Sequence, residues 1–479
     1  MKSLQNRIEE IKKQLNQSQD IGFRVFSVAN TKIGLVFLKS IINKELFSKC
    51  IVERILSYNE QEINLEKFKN HIVSVDDISS IKPDEILESM LRGKVCVLFE
   101  NEEDILAVDI ELYPTRVPSE PPTSAVIQGP REGFTENIKT NISLIRKRFP
   151  TENLKIDDYT VGKHTKTMVK VVYLTKVADK NIVKKIEKKL KSINIDGVVD
   201  SYNILEFLQD KPKSIFKQVG TSEKPDVVAG KILEGRVAIF VDGSPIALTV
   251  PFLFLEDIQN SNDYYSNHHY VSIIRVIRAI GILVASIAPG IYISLRLYHY
   301  KITPLKFIIT IANSTQGLPF TPLIELLFIL LLFQILYEVS LRLPRYLGLA
   351  TSIVGALILG DTGVKAGLIS PPGVIIIAMS IISVYTVPDQ APQLTVLRMI
   401  FLVIGSTLGL LGIVGGMVYF TCYLNSLGSY SAPYLAPFSP SVSDDFKDGI
   451  FKGPINEMNK RPQSFKNKNK TRLKKWQIQ

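Results

Sequence analysis

The chain has 479 residues, with 57 Lys+Arg against 46 Asp+Glu and a formal net charge of +11. Charge is dense before residue 270 and sparse from there to Ser443, which excludes a uniformly water-soluble globular protein. The three cysteines, Cys50, Cys96 and Cys422, stand alone, which excludes a disulfide framework and a zinc-ligand spacing.

Met1–Asp20 is charged and amphipathic, with Leu4, Ile8, Ile11 and Leu15 at helical spacing. It lacks the uninterrupted apolar core of a signal peptide, so residues 1–270 are expected to stay in the cytoplasm. Phe23–Val28 reads as a strand. Val36–Tyr58 reads as a helix carrying Leu38, Ile41, Ile42, Leu46 and Ile55. Gly93–Phe99 and Ile105–Val108 are β-rich runs around Asn101–Asp104, a hairpin pattern. Residues 1–112 thus form a first α/β subdomain.

Residues 113–135 are a linker rich in Pro and Gly. Tyr113–Thr123 carries Pro114, Pro118, Pro121 and Pro122, and leads into Gln128-Gly129-Pro130-Arg131-Glu132-Gly133-Phe134. Proline lacks an amide donor and glycine relaxes φ, so this is loop. No phosphate-binding G-x-x-x-x-G-K-[ST] occurs.

Residues 136–265 form a second α/β subdomain. Met168–Leu174 is a strand, and Asp179–Ser192 a helix with Ile182, Val183, Ile186 and Leu190 on one face. Its lysines Lys184, Lys185, Lys188, Lys189 and Lys191 read as a solvated face, and no nucleic-acid partner is expected. Leu233-Glu234-Gly235-Arg236-Val237 repeats the pattern of Leu91-Arg92-Gly93-Lys94-Val95. The strand that follows turns at Asp242-Gly243-Ser244 and returns as Ile246–Val250, and Asp-Gly between apolar strands is a strong hairpin pattern. Two readings stay open: a duplicated subdomain, or a chance likeness of two hairpins.

Residues 271–426 read as an all-α polytopic membrane domain. Uncharged apolar runs recur at Ala279–Leu295, Leu326–Tyr337, Tyr346–Gly360, Ala366–Pro388 and Met399–Leu424, against about 20 residues needed to span a bilayer. The fold class is therefore an α+β region of two α/β subdomains followed by transmembrane helices. Gln334, Glu338 and Arg342 are successive i, i+4 neighbours on one helix face, with Glu325 on the opposite side near the helix end. Either Glu338 pairs with Arg342 while Glu325 snorkels, or this helix lines a water-filled path. Gly405, Gly409, Gly412 and Gly416 form one glycine face suited to close helix packing, echoed by Ser352, Ala356 and Gly360. Pro289-Gly290 and Pro371-Pro372-Gly373 are hinge or re-entrant candidates, or ordinary kinks.

Arg275, Arg278, Arg342 and Arg345 place their helix ends on the cytoplasmic side. So do the basic residues of the tail, 444–479, which is expected to be disordered and near anionic lipid. Both ends inside require an even number of crossings. Four full spans are expected, with Tyr346–Gly360 or Ala366–Pro388 re-entrant. Pro304–Pro319 is a poorer candidate for a sixth crossing.

Several blocks carry a family resemblance. They are Gly129-Pro130-Arg131-Glu132-Gly133-Phe134, Asn141–Arg146, Lys224-Pro225-Asp226, Leu233–Pro245 with Asp242, Gly243 and Pro245, and Asp263-Tyr264-Tyr265. The membrane half adds Ala288–Ile293, Arg342-Leu343-Pro344-Arg345 and Ile353–Leu357. In these the chain resembles the A subunit of GerA-type spore-germination nutrient receptors over nearly its whole length. It departs at Gln128 and Lys224, where the family usually has arginine, and lysine lacks the planar five-donor fork. The resemblance implies a protein of the spore inner membrane beside a transporter-like B subunit and a lipoprotein C subunit. It also implies a homo-oligomer supplying an ion path opened by nutrient binding elsewhere in the complex.

The alternatives are a secondary transporter, a membrane-anchored signalling protein without its own pore, and a membrane-anchored enzyme. No inverted repeat marks the membrane half. His71, His164 and His299 are scattered, His268-His269 sits at the membrane edge, and no catalytic triad stands out. No enzymatic activity, cofactor or metal is expected.

Overall fold

The computed structural model describes residues 4–14, 21–28, 31–38, 42–58, 66, 68, 69, 78–91, 93–100, 102–110, 120, 121, 128–343, 355 and 357–472. Leu15, Ile41, His71 and Arg345, most of Tyr346–Gly360 with Ser352 and Ala356, and linker residues 113–119 and 122–127 lie outside them. The chain divides into two compact units, Met1–Thr115 and Arg116–Gln479.

In the first unit, strands β1 (Ile21–Val28), β2 (Thr31–Leu38), β3 (Ile78–Ile81), β4 (Lys94–Phe99) and β5 (Ile105–Asp109) form one antiparallel sheet in the order β1-β2-β4-β5-β3. Helices cover both faces, which is why β4 reads Lys-Val-Cys-Val-Leu-Phe without alternation. Helix α1 (Leu4–Gln14) and α3 (Ile86–Leu91) set Leu4, Ile8 and Met90 against Val36, Cys96 and Leu98. The helical segment α2 (44–56) sets Phe47, Ile51 and Ile55 against Ile33, Leu35, Val97 and Val108. The helix expected from Val36 therefore starts later: Val36–Leu38 belong to β2, where alternate residues bury on opposite faces and override the helical spacing.

The second unit repeats this sheet plan, with helices again on both faces. Strands β6 (Leu154–Val161), β7 (Thr167–Leu174), β8 (Gly220–Ser222), β9 (Val237–Val241) and β10 (Ala247–Val250) pair in the order β6-β7-β9-β10-β8. Helices α4 (Ile138–Arg148) and α7 (Pro225–Glu234) cover one face through Ile145, Val228 and Ile232. Helices α5 (Lys180–Ser192) and α6 (Ser201–Leu208) cover the other through Ile182, Ile186, Leu190 and Ile204. Each of these buried aliphatics contributes about 1.5–3 kcal/mol. The repeated pattern lands on the same joint in both sheets. Gly93 after α3 and Gly235 after α7 both take positive φ, 82° and 102°, and hand the chain into β4 and β9. The shared strand order favours duplication over chance likeness.

Helices α8 (His268–Leu297), α10 (Pro322–Arg342) and α12 (Ala391–Asn425) are long and apolar enough to cross a membrane, with α11 (Pro371–Val384) shorter and α9 (Leu305–Thr315) between α8 and α10. Their outward faces are apolar, as lipid requires: Ile280 and Leu283 on α8, and Leu411, 82% exposed, on α12. Neither proline site breaks its helix. Helix α8 runs unbroken through Pro289. The missing proline N–H frees the carbonyl of Ala285, which accepts instead from Ser380 Oγ (2.7 Å) and Arg398 Nε (3.0 Å). Pro371 and Pro372 start α11 rather than break it.

The break falls at Gly409 of α12 (φ 65°, ψ −155°). There Tyr298 Oη, just past α8, donates to the freed carbonyl of Ser406 at 2.8 Å. The glycines thus do not form one continuous packing face. Gly405 meets the backbone of Gly290, Gly409 is the kink, and Gly412 and Gly416 face side chains of their own helix, among them Leu408 and Phe401.

The tail is also corrected. Its described part folds back on the second unit rather than being disordered. Lys468 N donates to Val177 O (2.9 Å), Arg461 Nε donates to Leu233 O (2.7 Å), and Phe465 buries beside Leu253, Ala432 and Ala436. The amphipathic use of basic residues explains the misreading: the Arg236 guanidinium lies over the Phe465 ring at 5.0 Å, and Lys460 pairs with Asp444.

Candidate functional site

A densely charged cluster forms where the second soluble body joins α8. Asn260 caps a short turn, Ser261–Tyr265, which presents Asp263, 3% exposed. Two arginines one helical turn apart on α8 converge on this carboxylate. Arg278 grips it with two prongs, Nη1 to Oδ2 at 2.8 Å and Nη2 to Oδ1 at 3.0 Å, and Arg275 Nε reaches Oδ2 at 2.9 Å. Fork-on-carboxylate pairing of this kind fixes orientation as well as charge.

The tail completes the cluster. Arg275 Nη1 donates to Asp448 Oδ1 (2.9 Å) and to the carbonyl of Gly449 (2.6 Å), while Lys452 Nζ donates to the carbonyl of Asp263. Burial lowers the Lys452 ammonium below the ordinary lysine range. The turn just before α8, the first turns of α8 and a tail segment more than 170 residues further on thus lock the entry of the first membrane helix. In the sequence Arg275 and Arg278 stand out only as charges at a helix end, because no local pattern pairs them with Asp263 or Asp448.

A second charged pair lies among the membrane helices. Glu325 is fully buried and accepts from Arg296 Nη1 (2.8 Å), from Ser370 N (2.9 Å) and from Ser370 Oγ. The reading in which Glu325 snorkels is overturned, since α8 supplies a counter-charge that the pattern of α10 does not show. Glu325 is not grouped with Gln334, Glu338 and Arg342. Gln334 lines a cavity toward α11 and α12, whereas Glu338 accepts from Arg342 Nε (3.0 Å) on an exposed face.

The motif residues of the soluble half hold a loop in place. Gly129 takes φ 112° against the Tyr265 ring, and a Cβ there would meet it at 2.6 Å. Arg131 is exposed, Pro130 half-buried and Gly133 buried, while Glu132 accepts from Arg148 at 2.8 Å. Asp242 Oδ1 accepts from the first amide of α4 (3.2 Å), and Gly243 donates to Glu136 O (2.8 Å) just before Pro245. Lys224 is buried and reaches Asp226 Oδ2 at 3.5 Å, a single contact where a fork would make two. Tyr265 Oη donates to the same Asp226 oxygen (2.8 Å), and burial with this bond pushes the phenol up to about 12.

The lysine face of α5 is only partly solvated. Lys185 and Lys189 both bond Asp210 at 2.9 Å and lie 5.0 Å from the Tyr430 ring, tying α5 to the strand pair 428–433 beyond α12.

A family model described as Bacillus/Clostridium GerA spore germination protein matches residues 9–464. The chain belongs to the GerA family. Within it, the chain is 30% identical to spore germination protein KA of Bacillus subtilis (strain 168) over 98% of its length and 88% of that protein. It is 31% identical to spore germination protein B1 of the same organism, covering 96% of each. The crystal structure of the N-terminal domain of the A subunit of the Bacillus megaterium spore germinant receptor GerK3 matches 53% of the chain and 96% of that domain. The identity is 29% and the TM-score 0.23. The α/β fold rests on the chain's own strand pairings, and the GerA family places the protein in spore germination as a membrane protein.

Proposed function

We propose that this GerA-family chain is the A subunit of a spore nutrient receptor, working in the spore inner membrane beside a transporter-like B subunit and a lipoprotein C subunit. It acts as a homo-oligomer whose membrane helices form an ion path gated by nutrient binding elsewhere in the complex. The carrying observation is the Asp263–Arg275–Arg278–Asp448 cluster. It couples the soluble body and tail to α8, so a rotation of one is passed to the other. Because tail and soluble body touch, both lie on one side of the membrane, and the charge distribution favours the cytoplasmic side. The exposed Glu338–Arg342 face of α10 supplies the charged wall of the path.

The test is ion release from dye-loaded liposomes holding the A, B and C subunits, on addition of mixed amino acids and sugars. Release is expected with all three subunits and is cut at least tenfold by Arg278→Met. Glu338→Gln is expected to change the rate or ion preference while assembly persists. Equal release from B and C alone would remove the path from this chain, and saturable solute exchange would favour the transporter reading.

A further inference from the structure

A cavity of about 980 Å³ lies between α10, α11 and α12, walled by apolar side chains such as Leu331, Phe333, Ile381 and Val384. Arg398, 4% exposed, belongs to the same wall. Its Nε and Nη2 donate to the carbonyls of Ala285 (3.0 Å) and Ser380 (3.2 Å). Carbonyls satisfy two of its five N–H groups but carry no countercharge, and among the described residues no carboxylate forms an ion pair with Arg398. Arg296, the comparable arginine of α8, has Glu325. A guanidinium left without a counter-ion among membrane helices is costly, and an anion from outside the chain relieves that cost.

Depth and shape narrow the class of anion. Gln390, at the head of α12, bonds Asp257 of the soluble body at 2.7 Å. Arg398 lies eight helical residues further, about 12 Å, on the same side of the membrane as the soluble body. Most of the rest of the wall is apolar, with Gln334, Tyr337, Ser340, Tyr385 and Thr395 interspersed, so a small hydrophilic anion would leave most of the cavity unfilled, whereas an amphiphile matches both the charge and the apolar wall. We propose that this cavity binds an anionic phospholipid, its phosphate on the free N–H groups of Arg398 and an acyl chain among Leu331, Phe333, Ile381 and Val384. Gln334, which lines the same cavity, then belongs to a lipid site rather than to an ion path.

Native mass spectrometry of the full chain in neutral detergent tests this. Phosphatidylglycerol and phosphatidylcholine with identical acyl chains are offered at equal concentration. Wild-type protein is expected to carry phosphatidylglycerol in about fivefold preference. Arg398→Met is expected to bring the two to parity. Leu331→Trp, which fills the apolar part of the cavity and spares the charge, is expected to reduce retained lipid severalfold, and it carries the test if Arg398→Met fails to fold. Parity in the wild type, or a preference kept in both variants, overturns the proposal. So does equal competition by glycerol phosphate, which would mark a free-anion site, or a lipid-free cavity closed by a second copy of the chain.

Discussion

Replacing Arg296 with methionine strips the counter-charge from a carboxylate with no access to water, and removing one partner of a buried pair costs about 3–5 kcal/mol. Thermal unfolding in detergent is expected to show that loss for Arg296→Met. A smaller loss is expected for Glu325→Gln, whose amide oxygen still accepts from Ser370. The double variant Arg296→Met/Glu325→Leu should recover most of the difference. Asp210 gives a pH test. Burial by itself raises its pKa, but the bonds from Lys185 and Lys189 prevail and hold it below the ordinary carboxylate range. A depressed folded value means that its contribution is complete above the unfolded pKa, near 3.9, and is lost as pH falls through the folded value. Hydrogen exchange across residues 428–433 should therefore stay slow down to about pH 4 and quicken below it. Asp210→Asn should exchange quickly already at neutral pH.

Between α8 and α12 the decisive contact is backbone on backbone. A Cβ on Gly405 would sit 2.4 Å from the carbonyl oxygen of Gly290, and a Cβ on Gly290 equally close to that of Phe401. Gly405→Ala must therefore push the helices apart, whereas at Gly409 the obstacle is conformation, since φ 65° with ψ −155° is a region left to glycine. Gly409→Ala is expected to cost about 1–3 kcal/mol in thermal unfolding, and Tyr298→Phe about 1 kcal/mol by orphaning the Ser406 carbonyl. What was legible beforehand follows from this distinction. The hairpins of β4–β5 and β9–β10, the amphipathic α5 and the apolar runs declare themselves through local period and turn residues. The spacing of Gly405, Gly409, Gly412 and Gly416 is equally visible, but a list of glycines does not say which one meets a neighbour and which one bends. Pro289 left its alternatives open for the same reason, because the groups that repair its missing bond, Ser380 and Arg398, lie on other helices.

For the molecule as a whole, the tail was the least legible part. Its lysines suggest a solvated chain, yet Asp448, Lys452 and Phe465 find partners that only the fold brings near. Asp448→Ala is expected to speed hydrogen exchange in residues 443–472 and in the first two turns of α8, while β6–β10 remain protected. Unchanged exchange at α8 would show that the tail is a passenger on that helix. Asp263 and Arg275 are synthesised well ahead of Asp448, so α8 enters the bilayer with Arg275 gripped by one carboxylate only. The second grip closes only after the ribosome has passed α12, so the joint at the head of α8 reaches its full set of contacts late in synthesis.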